Sequence, residues 1–179
     1  ANLYAASHFK HKIVAVYHKL NHPVFEPYFL GIRTKFGTEM IPMREAYQRE
    51  PITGEKPFMY FFINDQSPKP EKAYWTTFLH QDTGMYRGAE VVSRKMKCPV
   101  IYGNILRDPN KRGYYHIEFS LLVEDPNQIP LNGILEKQAR VLEADIRKQP
   151  ANWLWTHKRW KHPKPAHLQP DQLLASSVD

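Results

Sequence analysis

Thirteen residues near the end of the chain, WLWTHKRWKHPKP (Trp153–Pro165), combine three tryptophans, two histidines and four lysine or arginine residues. No acidic residue occurs from Asn152 to His167, so these cations have no partner of opposite charge nearby in the sequence. Indole rings beside cations suit a membrane interface, where tryptophan lies at headgroup depth and lysine or arginine binds phosphate. They also suit single-stranded nucleic acid, whose bases stack on aromatic faces. The simplest alternative is that the tryptophans complete a hydrophobic core while the cations face water, and we expect this for at least one of the three.

Two polar positions follow segments that are predicted to be β-strands. Arg44 comes after a short strand in IPMRE, and Asp65-Gln66 comes after the apolar run FMYFFI. In open α/β sheets, ligands bind at the carboxyl ends of the strands. A carboxylate there can orient a base or accept a hydroxyl, and an arginine can bind phosphate or carboxylate through two parallel hydrogen bonds. The alternatives are a loop cap for Asp65 and a solvated surface position for Arg44.

Several kinds of chemistry lack support in the sequence. The nine histidines are scattered, and the His18–His22 pair does not lie on a predicted helix, so a zinc site is not favoured. No G-x-S-x-G, Walker or G-x-G-x-x-G motif occurs, and we expect no cofactor. The single cysteine, Cys98, cannot form an internal disulfide, which favours a reducing compartment. No apolar run approaches the roughly 18–20 residues that cross a bilayer.

The overall composition indicates a folded, basic protein. Hydrophobic residues make up 42% of the 179 residues, which is enough for a core, and the formal net charge is +7. This excess favours an acidic partner, such as nucleic acid, anionic lipid, a phosphorylated substrate or an acidic carrier protein. The length predicts one domain over residues 1–165, followed by a C-terminal tail over residues 166–179.

The first third of the chain is predicted to alternate strands and helices. KIVAVY (Lys12–Tyr17) is a strand, and Asn21 is positioned to cap a helix with the apolar stripe Val24, Tyr28, Ile32 and Phe36. A short strand follows at Glu39–Ile41. The apolar run Phe58–Ile63 is predicted to be a central strand that is covered on both faces.

The remainder adds two helices and a hairpin. A helix is predicted over Gly88–Lys97, and two antiparallel strands flank the turn PNKRG. The clearest helix follows Asn132 and carries the stripe Ile134, Leu135, Leu142 and Ile146. This order of elements predicts a mixed α/β fold with a partly parallel central sheet flanked by helices.

Six motifs, in this order and spacing, resemble the bacterial lipid A biosynthesis acyltransferases. The resemblance extends from about Lys12 to Lys161, and the last motif is the most specific. The motifs are YHKLNHP (Tyr17–Pro23), R-x-K-F-G (Arg33–Gly37), IPMRE (Ile41–Glu45), INDQSPK (Ile63–Lys69), F-x4-T-x4-G (Phe78–Gly88) and P-x2-W-L-W-x-H-x-R-W-K (Pro150–Lys161).

The resemblance implies a fold like that of the glycerolipid acyltransferases and an enzyme at the cytoplasmic face of the bacterial inner membrane. Such an enzyme moves a fatty acyl chain from acyl carrier protein to a hydroxyl of a lipid A precursor. The implied partners are the carrier protein, the lipid A precursor and an anionic membrane surface, with no nucleic acid. The implied substrate-site residues are His18, Asn21, Arg44, Asp65, Gln66 and Gly88. The implied membrane or phosphate contacts are Trp155, Arg159, Trp160 and Lys161.

The chain departs from the family pattern at the catalytic base. The family uses a histidine followed by Asp or Glu after four intervening residues, and no histidine here has an acid at that spacing. His22 and Glu26 are one residue too close. We expect the pair near or before Ala1, so the catalytic residues are unknown. His18 also stands where the family often has arginine. Three alternatives remain: an acyltransferase for another membrane lipid, a homologue without activity, and a basic nucleic-acid-binding module.

Overall fold

The computed structural model describes residues 2–50 and 56–166. Its contacts divide the chain into two compact units, unit 1 (residues 1–63) and unit 2 (residues 64–179). The boundary falls where the chain leaves the last strand of the first unit. The expected single domain over residues 1–165 stays a prediction. Most of the predicted tail, residues 167–179, lies outside the described residues.

Unit 1 is built around a parallel sheet. Its elements are α1 (Asn2–His8), β1 (Lys12–Tyr17), α2 (Phe25–Thr34), β2 (Glu39–Pro42), α3 (Met43–Gln48) and β3 (Phe58–Phe61). The strand order is β2-β1-β3, with both pairings parallel. The core contains Val14, Val16, Ile41 and Ala46. The parallel sheet of the predicted mixed α/β class is therefore confirmed.

The position of β3 corrects one prediction. The Phe58–Ile63 run was expected to be a central strand, but β1 occupies the centre and β3 lies at an edge of the sheet. Residues 13–16 of β1 are buried, whereas all four residues of β3 are only partly buried. A continuous apolar run predicts burial on both faces, yet its place in the sheet depends on which strands pair with it.

Helix α2 forms close to where its apolar spacing predicts it, but its apolar stripe does not join the core. Val24, Tyr28, Ile32 and Phe36 are all exposed. No residue of α2, which the structure describes in full, is buried.

Unit 2 combines two antiparallel hairpins with two helices. Its elements are β4 (Tyr74–Phe78), β5 (Gln81–Met85), α4 (Gly88–Met96), β6 (Val100–Arg107), β7 (Tyr115–Val123) and α5 (Gly133–Lys148), with short 3-10 turns at Pro70–Lys72, Pro126–Gln128 and Pro150–Asn152. The predicted helices α4 and α5 and the predicted β6–β7 pairing are confirmed. The β4–β5 hairpin is an element that the sequence pattern did not indicate.

Helix α5 packs its predicted stripe into the core of unit 2. Ile134, Leu135 and Ile146 are buried, and Leu142 packs against the buried cluster that contains Phe78. The buried Glu90 of α4 reaches the start of this helix. Its carboxylate accepts hydrogen bonds from the backbone N–H groups of Asn132 (2.7 Å) and Leu135 (3.3 Å). It also accepts from the Arg94 guanidinium at 2.8 Å.

Among the described residues, no helix combines the length and the apolar character that crossing a membrane requires.

Candidate functional site

Unit 1 contains an open cleft of about 470 Å³ at the carboxyl ends of β1 and β2. Tyr17 ends β1, Pro42 ends β2, and the two residues are paired in the parallel register. Both line the cleft, together with Arg44 in the first turn of α3. Lys19 lines it from the loop after β1. Because parallel strands end at the same edge of a sheet, the fold brings the YHKLNHP and IPMRE motifs to one place.

The cleft has both signs of charge on its rim. The exposed Arg44 and Lys19 supply cationic groups, while Glu26 and Glu45 supply carboxylates. An arginine and a lysine on one rim can bind phosphate oxygens, the first through two parallel hydrogen bonds and the second as a point charge.

Glu26 fastens the loop after β1 to α2. Its carboxylate accepts hydrogen bonds from the Leu20 backbone N–H and from the Tyr17 hydroxyl, both at 2.8 Å. The Leu20 bond and then the Tyr17 bond lower the pKa of Glu26. Burial and the Glu26 carboxylate raise the pKa of Tyr17 to about 12. From the sequence, Tyr17 was considered only as the end of a predicted strand and the start of the YHKLNHP motif, and Glu26 only as a possible partner of His22; an acid in the first turn of a predicted helix was the available signal for the role of Glu26 in the cleft.

The loop between β1 and α2 differs from the prediction in which residue caps the helix. His18 and Asn21 are exposed. Asn21 was predicted to cap α2, but the Nδ1 atom of His22 accepts from the backbone N–H groups of Val24 and Phe25, both at 3.3 Å. That prediction is wrong, because the imidazole of the next residue reaches the free N–H groups. With His22 facing this backbone and Glu26 bonded to Tyr17 and Leu20, neither residue is arranged as a histidine–acid pair.

Arg159 of unit 2 is buried, with 3% of its surface exposed. Its Nη2 atom donates to the backbone carbonyl of Gly84 at 2.7 Å. Burial lowers the pKa of Arg159 to about 10, while the Asp65 and Tyr86 side chains act in the opposite direction. A surface position was expected for this cation, and that expectation is wrong because β5 supplies a carbonyl inside the unit. Its contact with phosphate or lipid stays a prediction.

Asp65 is partly buried and lies close enough to Arg159 to influence its protonation. Within the described part of the chain, the Asp65 Oδ1 atom and the Arg159 Nε and Nη1 atoms are buried without a hydrogen-bond partner. Two guanidinium donors and one carboxylate acceptor are therefore buried in unit 2 without a protein partner among the described residues. Gln66 is exposed.

A hydrogen bond also joins the segment after β3 to the tryptophan-rich run Trp153–Pro165. The Ser67 backbone N–H donates to His157 Nε2 at 3.2 Å, and the Tyr86 hydroxyl donates to the Ser67 carbonyl at 3.4 Å. The INDQSPK motif therefore meets the run that contains His157 in unit 2, although the two are about ninety residues apart in the sequence.

The tryptophans of the run divide between core and surface. Trp153 and Trp160 pack against Phe78, with ring centroids 6.4 and 6.5 Å apart. The Trp160 indole N–H also donates to the Thr83 hydroxyl at 2.7 Å. The expectation that at least one tryptophan closes the core is confirmed. Trp155 is 55% exposed, and Lys161 is exposed.

The remaining site candidate is Gly88, which is buried at the first position of α4. Arg44 belongs to unit 1, whereas Asp65, Gln66 and Gly88 belong to unit 2. Their convergence on one substrate site stays a prediction. In residues 2–50 and 56–166, no group of three or more His, Cys, Asp or Glu side chains could hold a metal ion.

Comparison with known proteins identifies the family. A comparison with curated proteins gives no match. The family model described as bacterial lipid A biosynthesis acyltransferase matches residues 6–162, which is most of the chain and includes both the cleft of unit 1 and the Arg159 region of unit 2. The chain therefore belongs to the bacterial lipid A biosynthesis acyltransferase family.

Proposed function

We propose that this protein transfers a fatty acyl chain from acyl carrier protein to a hydroxyl group of a lipid A precursor at the cytoplasmic face of the bacterial inner membrane. Family membership supports acyl transfer to a lipid A-type acceptor. The observation that carries the proposal is the cleft at the carboxyl ends of β1 and β2, with Arg44 and Lys19 on its rim. The formal net charge of +7 supports an acidic donor protein and an anionic surface.

The reaction is an ester-forming acyl transfer. The acceptor oxygen attacks the thioester carbonyl, the new C–O bond forms, the C–S bond breaks, and the acceptor proton finally resides on the released thiol. A general base must hold that proton in between. The family's histidine–acid pair is the expected base, and no histidine of the sequence has an acid at the family spacing. The residues described here accordingly have binding and positioning roles.

Arg44 is the residue that we expect to bind the acceptor most directly. It follows β2, it is exposed on the rim of the cleft, and its guanidinium can form two hydrogen bonds to a phosphate of the precursor. Lys19 adds a second positive charge on the same rim. Glu26 keeps the loop that carries Lys19 in place through its bond to Leu20.

The test is an acyl-transfer assay with the product of the complete gene, acyl carrier protein thioester and a phosphorylated lipid A precursor. We expect Arg44→Ala to raise the KM for the precursor by about tenfold or more, which corresponds to the loss of a charged hydrogen bond. The matched control is Lys148→Ala, which removes an exposed cation at the end of α5. Equal KM values for the two variants would contradict the role of Arg44.

The same assay separates the alternatives. Transfer to a glycerolipid but not to the lipid A precursor would keep the chemistry and change the acceptor. No transfer to any lipid, with salt-sensitive binding of a labelled oligonucleotide, would favour the nucleic-acid module.

A further inference from the structure

Among the described residues of unit 1, α2 and its flanks present a row of apolar side chains that the core does not use. We call it the α2 face, and it consists of Val24, Phe25, Tyr28, Phe29, Ile32 and Phe36. Each of these side chains is between 39% and 65% exposed. Val24 and Phe36 flank the helix, and at about 100° per residue the four residues within α2 fall within an arc of about 100° around the helix axis. They form one continuous apolar stripe.

The opposite side of the helix has another role. Glu26, Pro27 and Leu30 line the cleft of unit 1 and project roughly opposite the α2 face. Helix α2 therefore touches its own unit through the cleft side and leaves the aromatic side uncovered. A stripe with four aromatic side chains is larger than the scattered exposed apolar residues of an ordinary surface.

The charges around the α2 face are suited to an anionic surface. Arg33 lies in the last turn of the helix, and Lys35 follows its end. Glu26 is the one acid between residues 18 and 38, and its carboxylate already accepts bonds from Tyr17 and Leu20. The Arg33 guanidinium lies over the Phe29 ring, 5.8 Å from its centroid, which keeps a cation beside the stripe.

We infer that α2 is an in-plane membrane-binding helix, whose aromatic face enters the headgroup region of an anionic bilayer. A helix with aromatic residues on one face and with Lys or Arg beside them binds a membrane interface in this way. Tyr28 and the three phenylalanines supply the apolar area that would enter the interface, and Lys35 follows the end of the helix, where lipid phosphates can meet it. The inference rests on the proposed function for its choice of a lipid surface, because the acceptor of this family is itself a lipid.

The principal experiment measures partition onto vesicles of phosphatidylethanolamine and phosphatidylglycerol. The test variant is Phe25→Ser/Tyr28→Ser, whose two aromatic rings are 52% and 62% exposed. The matched control is Tyr114→Ser/Tyr115→Ser next to and in β7, where the rings are 64% and 61% exposed. We expect the test variant to lower the partition coefficient by about tenfold or more, and the control to lower it less than about twofold. Equal losses, or no loss in either, would overturn the inference.

A second measurement reports the position of the helix directly. The sequence has one cysteine, so Cys98→Ser gives a background in which Tyr28→Cys or Tyr114→Cys can be labelled with an environment-sensitive fluorophore. On addition of vesicles, the label at position 28 is expected to shift to shorter wavelength and the label at position 114 to stay unchanged. A label at position 28 that is already shielded without vesicles would show that another protein surface covers the face, and would overturn the inference.

The two proposals fail in different ways. Acyl transfer to acceptor in detergent micelles needs no bilayer, so Phe25→Ser/Tyr28→Ser should keep its rate there while losing vesicle binding. If vesicle binding does not depend on α2 and acyl transfer in micelles is normal, only the membrane-binding role of α2 is contradicted. Absence of transfer in micelles by the unaltered protein removes the proposed function, and the partition measurement still decides the role of α2.

Discussion

Helices α2 and α5 carry similar apolar stripes in the sequence but have opposite environments in the structure. The stripe of α5 contains Ile134 and Leu135, which are fully buried, whereas the stripe of α2 is exposed along its whole length. Their surroundings explain the difference. Helix α5 packs against β4, and the buried cluster that contains Ile146 includes Phe78 of that strand, whereas α2 meets its unit through Glu26, Pro27 and Leu30. Apolar periodicity establishes that a helix has an apolar face, but not what covers that face.

The largest expected effect tests this contrast directly. Leu135→Ala in α5 should lower the free energy of unfolding by about 2–5 kcal/mol, because it leaves a cavity in a packed core. Ile32→Ala in α2, where the side chain is 43% exposed, should lower it by less than about 1 kcal/mol. Urea unfolding followed by circular dichroism measures both. Similar losses would mean that the α2 face is covered in solution.

Replacing the buried cation of unit 2 should lower the stability more than replacing a partly exposed cation of unit 1. Arg159→Met removes the bond to the Gly84 carbonyl and leaves Asp65 without its cationic neighbour, so we expect a loss of about 1–3 kcal/mol. Arg33→Met removes a cation that lies over the rings of Tyr17 and Phe29, for which about 1 kcal/mol or less is expected. Thermal unfolding of both variants provides the comparison. A larger loss of stability for Arg33→Met than for Arg159→Met would contradict this expectation.

Trp160→Phe tests the hydrogen bond from the Trp160 indole to the Thr83 hydroxyl in unit 2. The substitution keeps an aromatic ring in the cluster with Phe78 but removes the indole donor to Thr83, so the expected loss is about 0.5–1.5 kcal/mol. Thr83→Val supplies the second arm of a double-mutant cycle. If the two losses add in the double variant, the bond makes no contribution to the stability of unit 2.

The smallest effect concerns the cleft side of α2. Tyr17→Phe removes one of the two donors to Glu26, so the lowered pKa of Glu26 should rise part of the way to its usual value, the Leu20 bond remaining. A lowered carboxyl pKa contributes stability that is present above the unfolded pKa and is lost as the pH falls through the folded pKa. In the variant this contribution should therefore be smaller, and its loss should be complete at a higher pH. Carbonyl NMR titration of Glu26 measures the shift, and an unchanged pKa would show that Leu20 alone causes it.

The sequence was sufficient for elements whose apolar pattern matches their packing. The run KIVAVY forms β1, and the Ile134–Ile146 stripe lies in the core. The β4–β5 hairpin was missed because its two turn residues are Leu79 and His80, with φ of 48° and 63°. Such turns usually have Asn or Gly, so the composition gave no turn signal. The edge position of β3 could not be predicted either, because strand order depends on contacts between distant segments.

The residues of the candidate site could also be predicted only where local sequence determines their position. Arg44 could be located because a residue that follows a parallel strand lies at the carboxyl edge of the sheet. Glu26 could not, because its role depends on the loop from His18 to Asn21 folding back so that Leu20 meets it. Arg159 was assigned to the surface from its charge. Its burial depends on the Gly84 carbonyl, 75 residues earlier in the chain.

Glu90 has a consequence for how unit 2 assembles. Helix α5 has no side-chain cap from Asn132 at its own beginning, and the carboxylate of Glu90, 42 residues earlier, accepts the Asn132 backbone N–H instead. In a chain that is still folding, we therefore expect the first turn of α5 to fray until α4 has docked beside it. The two helices should become protected from amide hydrogen exchange together, as one cooperative step rather than two.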